Sequence, residues 1–182
     1  MRVTGGSLRG RILNAGPDGG IRPTSDKVRL ALFNIVMPML EKSDPLILDL
    51  FCGSGSLGIE ALSRLPDSTC VFVDQHPKSL AISRKNIMSL ELDRRASFIK
   101  DDAAGLQKTE GQYGLVFLDP PYKRNLVPPC LESLVQKNLA AHKCIVAIES
   151  EITDIFAPTG FAVLKTRVYG ETQITILSNK PV

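Results

Sequence analysis

The sequence predicts an α/β protein with a mostly parallel, Rossmann-like sheet, and three observations predict it. Apolar runs of five or six residues alternate with longer segments of helical spacing, which is how βαβ units with a sheet covered on both faces are written. The first run, Leu46–Leu50, passes directly into a glycine-rich turn, Gly53-x-Gly55-x-x-Gly58. The last two runs, Ala162–Arg167 and Gln173–Leu177, flank Tyr169-Gly170-Glu171 and predict an antiparallel hairpin closing the sheet.

In chain order, residues 1–23 are rich in Gly and Arg and hold Pro17 and Pro23. Segments around Arg2–Thr4 and Arg11–Asn14, joined through Gly5-Gly6, predict a small hairpin. Thr24 or Ser25 is placed to cap a helix, and Val28, Ala31, Leu32, Ile35 and Val36 then recur at helical spacing to about Met37. Pro38 and Pro45 close that region. A buried strand follows at Leu46–Leu50, a helix at Leu57–Arg64 and a second strand at Cys70–Asp74. A helix over Pro77–Leu92 has proline in its first turn. Strands at Ala96–Lys100 and Leu115–Asp119, a helix at Val127–Leu139, a strand at Cys144–Glu149 and the closing hairpin complete the chain. The expected organisation is one domain, 1–182, with residues 1–23 as a basic extension.

The chain has 182 residues, 43% hydrophobic and 23% charged, an ordinary globular composition that excludes disorder or a collagen-like fibre. No uncharged apolar run approaches the ~18–20 residues of a membrane span, and Met1-Arg2-Val3-Thr4-Gly5-Gly6 lacks an apolar core of signal-peptide type. A soluble, cytoplasmic protein is expected. Cys52, Cys70, Cys130 and Cys144 are scattered, and His76 and His142 lie far apart. Zinc sites show closer ligand spacing, so no metal is expected and four buried thiols are. The net charge of +3 is unevenly spread. Residues 1–30 hold six basic residues against two acidic ones, a net +4, while the remainder holds sixteen against seventeen, a net −1. Such a segment suits either a polyanion-binding surface or a solvated arm without a partner.

Each glycine of Gly53-x-Gly55-x-x-Gly58 has a mechanical use: a tight turn, close approach of a ligand to the backbone, and close packing of helix on sheet. Asp74 ends the second strand 21 residues after Gly53, where a carboxylate can accept hydrogen bonds from both hydroxyls of a ribose. This pattern suits NAD or another adenosine cofactor. A nicotinamide dinucleotide brings a pyrophosphate to the helix N-terminus, whereas S-adenosylmethionine brings an ammonium and a sulfonium. Asp49, just before the turn, supplies a negative charge suited to the latter.

Asp119-Pro120-Pro121-Tyr122 follows the fourth strand. Two prolines cannot continue a central strand, and they fix two φ angles, giving a stiff loop at the ligand-binding edge. Methylation of an exocyclic amine on a base calls for such a loop. The nitrogen lone pair is delocalised into the ring, so the amine is a poor nucleophile. A carboxylate and a backbone carbonyl that each accept one N–H bond turn the lone pair toward the methyl group. Asp119 also stabilises charge developing on nitrogen, and Tyr122 can stack on the base, worth about 1–3 kcal/mol. A rigid turn that merely ends the strand is the plainer alternative. The proposition beneath this reading is geometric: the loops leaving the first and fourth strands must share one cleft.

Taken together these stretches resemble the RsmD-like methyltransferases, which methylate the exocyclic N2 of a guanine in small-subunit (16S) ribosomal RNA. The similarity lies in Gly5-Gly6-x-x-Arg9-Gly10-Arg11, in Arg22-Pro23-Thr24-x-Asp26-x-Val28-Arg29, in Asp49-Leu50-Phe51-x-Gly53-Ser54-Gly55-x-Leu57-Gly58-x-Glu60-Ala61-Leu62-Ser63-Arg64, in Asp119-Pro120-Pro121-Tyr122, and in Glu149-Ser150-Glu151 and Tyr169-Gly170-Glu171-Thr172 near the end. The resemblance implies a class I methyltransferase fold, a seven-strand sheet with a small N-terminal hairpin, and S-adenosylmethionine as donor. Position by position it implies Asp49, Phe51, Gly53 and Gly55 at the methionine end of the cofactor, Asp74 and Gln75 at the ribose, and Asp102-Ala103 near the adenine. Asp119, Pro120, Pro121 and Tyr122 form the target-base loop. Arg9, Arg11, Arg22 and Arg29, with Lys123 and Arg124, would hold RNA phosphates. Ribosomal RNA, free or in an assembled small-subunit particle, is the implied partner, and a monomer the implied state. Cys52 stands where a smaller Ala is common, and Asp74-Gln75-His76 varies the usual strand ending.

Three other functions fit part of the sequence. An amino-methyltransferase acting on adenine N6 or cytosine N4 could share the base loop, but 182 residues show no separate target-recognition domain. An NAD-dependent oxidoreductase leaves Asp119–Tyr122 and the basic arm unexplained. A non-catalytic RNA-binding protein leaves the acidic residues around the glycines without a use.

Overall fold

The structure is a computed structural model, described here for residues 1–16, 25–41, 45–121, 125–153 and 158–179. Its frame is a seven-strand sheet, β1 (Leu46–Leu50), β2 (Thr69–Asp74), β3 (Ala96–Lys100), β4 (Tyr113–Leu118), β5 (Ala140–Glu151), β6 (Ala162–Tyr169) and β7 (Thr172–Ser178), in the order β3-β2-β1-β4-β5-β7-β6. The first five pair in parallel, and β7 runs antiparallel to both β5 and β6. β1 lies inside the sheet between β2 and β4 and is buried on both faces, as a doubly covered parallel strand must be. The predicted closing hairpin is β6–β7, turned at Gly170 with φ 63°.

Four helices cover the sheet: α1 (Asp26–Val36), α2 (Ser56–Arg64), α3 (Pro77–Ser89) and α4 (Val127–Gln136). α1 opens on Ser25, whose hydroxyl accepts the Val28 N–H at 3.2 Å, so of the two predicted caps Ser25 does this work. Its apolar positions Val28, Leu32, Phe33 and Val36 pack with the inward residues of α2 and α3 against Ile47, Phe72, Leu115 and Phe117. α4 covers the other face, over Leu48, Val116, Val146 and Ile148.

Two helices stop three residues short of expectation, and both ends follow one rule. Asn138 after α4 and Glu91 after α3 take left-handed φ values of 52° and 59°. The Leu139 N–H returns to the Leu134 carbonyl at 2.9 Å and the Leu92 N–H to the Ile87 carbonyl at 3.1 Å. These bonds satisfy the last free carbonyls. β5 starts earlier than predicted, at Ala140, because an irregularity with Lys143 at φ 57° absorbs a register shift against β4.

The predicted N-terminal hairpin is reduced to one antiparallel bridge, Arg2 with Ile12. Backbone bonds from Val3 to Arg11 and from Leu13 to Met1, each 3.0 Å, flank it. Val3 and Leu13 then enter the core on the α1–α2–α3 side, so the basic arm is docked rather than solvated along this stretch. The four cysteines are free and buried. Among the described residues no helix is long and apolar enough to cross a membrane, and no cluster of three or more His, Cys, Asp and Glu is placed to hold a metal ion.

Candidate active site at the carboxyl edge of the sheet

β1 and β4 are hydrogen-bonded neighbours running in the same direction, with Leu50 opposite Leu118. Adjacent strands lie about 4.8 Å apart. The glycine turn and the Asp119 loop therefore leave the sheet side by side, where the strand order reverses. That is the position at which open α/β sheets bind ligands.

The glycine turn is wound tightly. Phe51, Gly53 and Gly55 have φ of 60°, 54° and 80°, and the Gly55 N–H closes onto the Cys52 carbonyl at 2.7 Å. The three glycines differ in what surrounds them. A Cβ on Gly58 would lie 2.4 Å from the Phe72 ring, so this glycine lets α2 approach β2. A Cβ on Gly55 would crowd Ser83 and Phe72 at 3.1 and 3.3 Å. A Cβ on Gly53 would meet nothing nearer than the Phe51 carbonyl at 3.8 Å. Gly53 is thus required by its backbone angle and leaves one side of the turn open to a ligand.

Two carboxylates brace this turn from beneath. Asp49 is buried, and its Oδ2 accepts the Gly58 N–H at 2.9 Å. Burial pushes its carboxyl up to about 7, against the Gly58 hydrogen bond, with the neighbouring Asp74 charge adding to the rise. Asp74, also buried, accepts the Gly53 N–H on Oδ2 at 3.1 Å and the His76 N–H on Oδ1 at 2.8 Å. The 21-residue spacing between Gly53 and Asp74 is thus a direct contact. Cys52 packs beside Ser83, its thiol held well above the usual range by burial and then by the Asp49 and Asp74 charges. It stays a neutral, space-filling group. Gln75 is exposed, its amide 3.3 Å from the His76 ring.

After β3, Asp102 accepts the Ala104 N–H at 3.0 Å on its side chain and the Gly105 and Leu106 N–H groups on its carbonyl. That turn buries Ala103 and leaves the Asp102 side chain at the surface. After β4, Asp119 is half-buried, Pro120 buried and Pro121 exposed. Tyr122, Lys123, Arg124 and Arg22 lie outside the described residues.

The expected RNA-contacting arginines divide. Arg9 and Arg11 are exposed. Arg29 is not, and the structure corrects the expectation for it. Its side chain is fully buried, with Nε 3.3 Å from Glu60 and Nη2 bonded to Asp26 at 2.9 Å and to the Arg2 carbonyl. A guanidinium enclosed this way has no face for a phosphate. Sequence reasoning missed its partner. Glu60 is fully buried and also accepts the Thr4 N–H and hydroxyl, each at 2.7 Å, and Arg64 Nε at 2.9 Å. Ser63, on the same face of α2, donates to the Gly5 carbonyl at 2.7 Å and accepts the Leu8 N–H at 2.9 Å. The spacing of Glu60, Ser63 and Arg64 marked one helix face, but nothing local announced that it faces inward.

A parallel sheet in this strand order with an antiparallel β7, and a glycine turn beside an Asp-Pro-Pro loop at its switch point, define the class I methyltransferase fold. The family described as conserved hypothetical protein 95 matches residues 1–178. The chain belongs to that family, the one its sequence resembles through the RsmD-like proteins. It is 32% identical to the ribosomal RNA small subunit methyltransferase D of Escherichia coli (strain K12), over 94% of this chain and 86% of that protein. It is 34% identical to the YlbH protein of Bacillus subtilis (strain 168), over 99% of this chain and all of that one. The solved structure of the Escherichia coli yhhF protein superposes with a TM-score of 0.82 at 30% identity, covering 98% of this chain and 97% of that one.

Proposed function

We propose that this protein is an S-adenosylmethionine-dependent methyltransferase that methylates the exocyclic N2 amine of a guanine in 16S ribosomal RNA. The observation that supports it most is the pairing of Leu50 with Leu118, which sets the glycine turn and the Asp119 loop on one edge. The names of the relatives support ribosomal RNA as substrate.

The donor set fits the cofactor. The open side of Gly53 admits a ligand to the backbone, and Asp74 stands beside it with one carboxylate oxygen on the Gly53 N–H and the other on the His76 N–H. The buried Asp49 carboxyl, raised to about 7 in the unliganded chain, gives up its proton when a cationic ligand sits beside it and so supplies the opposing charge. Phe51, Gly53 and Gly55 take the methionine end, Asp74 and Gln75 the ribose, and Asp102 and Ala103 the adenine. The bound cofactor supplies a methyl group on a sulfonium, an electrophile that needs no metal to activate it. Asp119 and a carbonyl of the Pro120–Pro121 loop accept the two N–H bonds of the amine, and Tyr122 stacks on the base. The base must leave its stack to reach them, at a cost of a few kcal/mol. Arg9, Arg11, Arg22, Lys123 and Arg124 hold phosphates, which fixes the position of the RNA without reading its sequence.

The test is transfer of a radiolabelled methyl group to small-subunit ribosomal RNA and to duplex DNA, followed by nucleoside analysis. Label in N2-methylguanosine from RNA is expected. Label in N6-methyladenine or N4-methylcytosine, or in DNA alone, overturns the reading. Asp119→Ala is expected to abolish transfer while calorimetry shows cofactor binding intact.

A further inference from the structure

The arm does more than dock. From Arg11 to Gly16 it runs along α3 in the opposite direction. Arg11 Nη2 donates to the Ser89 carbonyl at 3.0 Å. The Asn86 amide holds Asn14 at both its N–H (2.8 Å) and its carbonyl (2.9 Å). Gly16 lies against Ile82, whose methyl would sit 2.7 Å from a Cβ there. Asn86 also donates to the Ser54 carbonyl at 2.8 Å. One buried side chain thus ties the arm, α3 and the glycine turn together.

This docking line gives one stripe of α3 a neighbour. Lys78, Ile82, Lys85 and Ser89 recur at i, i+4, i+7 and i+11, a single helical face. Ile82 and Ser89 meet the arm, while Lys78 and Lys85 are exposed on the same helical face. Arg84 projects from a different face, its guanidinium 4.3 Å from the centre of the Phe98 ring. No Asp or Glu occurs from Gln75 to Leu90, and Glu91 comes only after the helix has ended. At 1.5 Å per residue the two lysines stand about 10 Å apart, and Lys78 and Ser89 about 17 Å. A strand of duplex DNA presents a phosphate every ~3.4 Å of axis, so a stripe of this length can reach more than one phosphate of a nucleic-acid strand. Its Lys78 end lies four residues beyond Asp74, at the carboxyl edge of the sheet.

We propose that Lys78 and Lys85, continued by Arg11 at the Ser89 end, form a phosphate-binding ridge on α3 that leads the RNA strand to the catalytic edge. This rests on the RNA reading above. Ammonium groups on flexible stems act as point charges, so the ridge sets affinity and direction without choosing the base.

The experiment compares Lys78→Ala/Lys85→Ala with the unaltered full-length chain in binding to a small-subunit ribosomal RNA fragment across a salt series. Affinity near 50 mM salt is expected to fall about tenfold, and the slope of log K against log salt to shrink by about 1.5, for two lost phosphate contacts. Lys78→Arg/Lys85→Arg is expected to restore both. Lys137→Ala, at an exposed lysine just after α4 and across the sheet, is expected to leave the slope alone. Cofactor binding by calorimetry and the thermal midpoint should not move. An unchanged slope in the double alanine variant, with wild-type binding and methylation intact, overturns the ridge and spares the RNA reading. An equal loss in Lys137→Ala also overturns it, since the effect is then one of general charge. Wild-type protein that neither binds nor methylates the RNA overturns the function itself.

Discussion

Asp49 and Arg29 are both acidic or basic side chains removed from water, and their neighbours treat them differently. Burial raises the Asp49 carboxyl to about 7 from an ordinary 3.8, the hydrogen bond from Gly58 opposes the rise only in part, and the neighbouring Asp74 charge adds to it. The folded chain therefore holds this proton where the unfolded chain has lost it. The associated stability is fully present below about pH 4 and declines as pH rises through about 7, above which the loss is complete. Asp49→Asn is expected to remove that decline. The difference in unfolding free energy between the two proteins should then change by about 1.4 kcal/mol per pH unit inside the window. Urea titrations at several pH values from 4 to 8 measure it, and a pH-independent difference would contradict the assignment. Arg29 instead has a full set of partners, Glu60, Asp26 and the Arg2 carbonyl. Arg29→Ala leaves Glu60 buried with its charge less compensated, and a loss of about 3–5 kcal/mol in denaturant unfolding is expected. A loss below about 1 kcal/mol would place the arginine at the surface after all.

At the scale of elements, the arm and α2 form one unit through close backbone approach. Gly6 has φ 77°, and a Cβ there would stand 2.0 Å from the Ser63 carbonyl oxygen. Gly10 has φ 87° with nothing within 4 Å of the same position. The two are equally strained as alanines and unequal in space. Gly10→Ala is expected to cost about 1–2 kcal/mol from the left-handed backbone alone. Gly6→Ala must also push the arm off α2, so amide hydrogen exchange at Ser7 and Leu8, whose N–H groups bond to Ser63, should accelerate in Gly6→Ala and not in Gly10→Ala. Similar exchange in the two variants would show that the arm is held by its apolar residues Val3 and Leu13 instead. The same hydrogen bonds join Gly5-Gly6 to Ser63-Arg64. They are two sides of one contact, 58 residues apart at Ser63 and Gly5.

For the whole molecule, the candidate site is a consequence of strand order. Had β4 joined the sheet beyond β3, the Asp119 loop would stand three strands from the glycine turn. Placing it beside β1 brings the two loops together at the point where the order reverses. The three helices and the arm on one face support the glycine turn, through Asn86 to Ser54 and through Gly58 to Asp49. α4 and the turn after β3 back the opposite face.

Much of this was written locally. The strand periods, the left-handed glycines, the Asp-Pro-Pro stop after β4 and the 21-residue step from Gly53 to Asp74 depend on residues near one another or on backbone angles a single residue sets, so the sequence by itself determined the fold class and the two loops. The helix ends at Glu91 and Asn138 were missed because left-handed caps on residues other than glycine give a weak signal. Only the tertiary structure decided which charges face water. Arg9 and Arg11 look like Arg29 in a string of letters, and the three separate on folding because Glu60, 31 residues further on, meets Arg29 alone in the interior. Lys78 and Lys85 share a helix face with Ile82 and Ser89, and only folding lays the arm against the latter two. The physical reason is that a charge's environment is set by whatever the chain brings to it from far away, whereas a turn is set by the residues that make it.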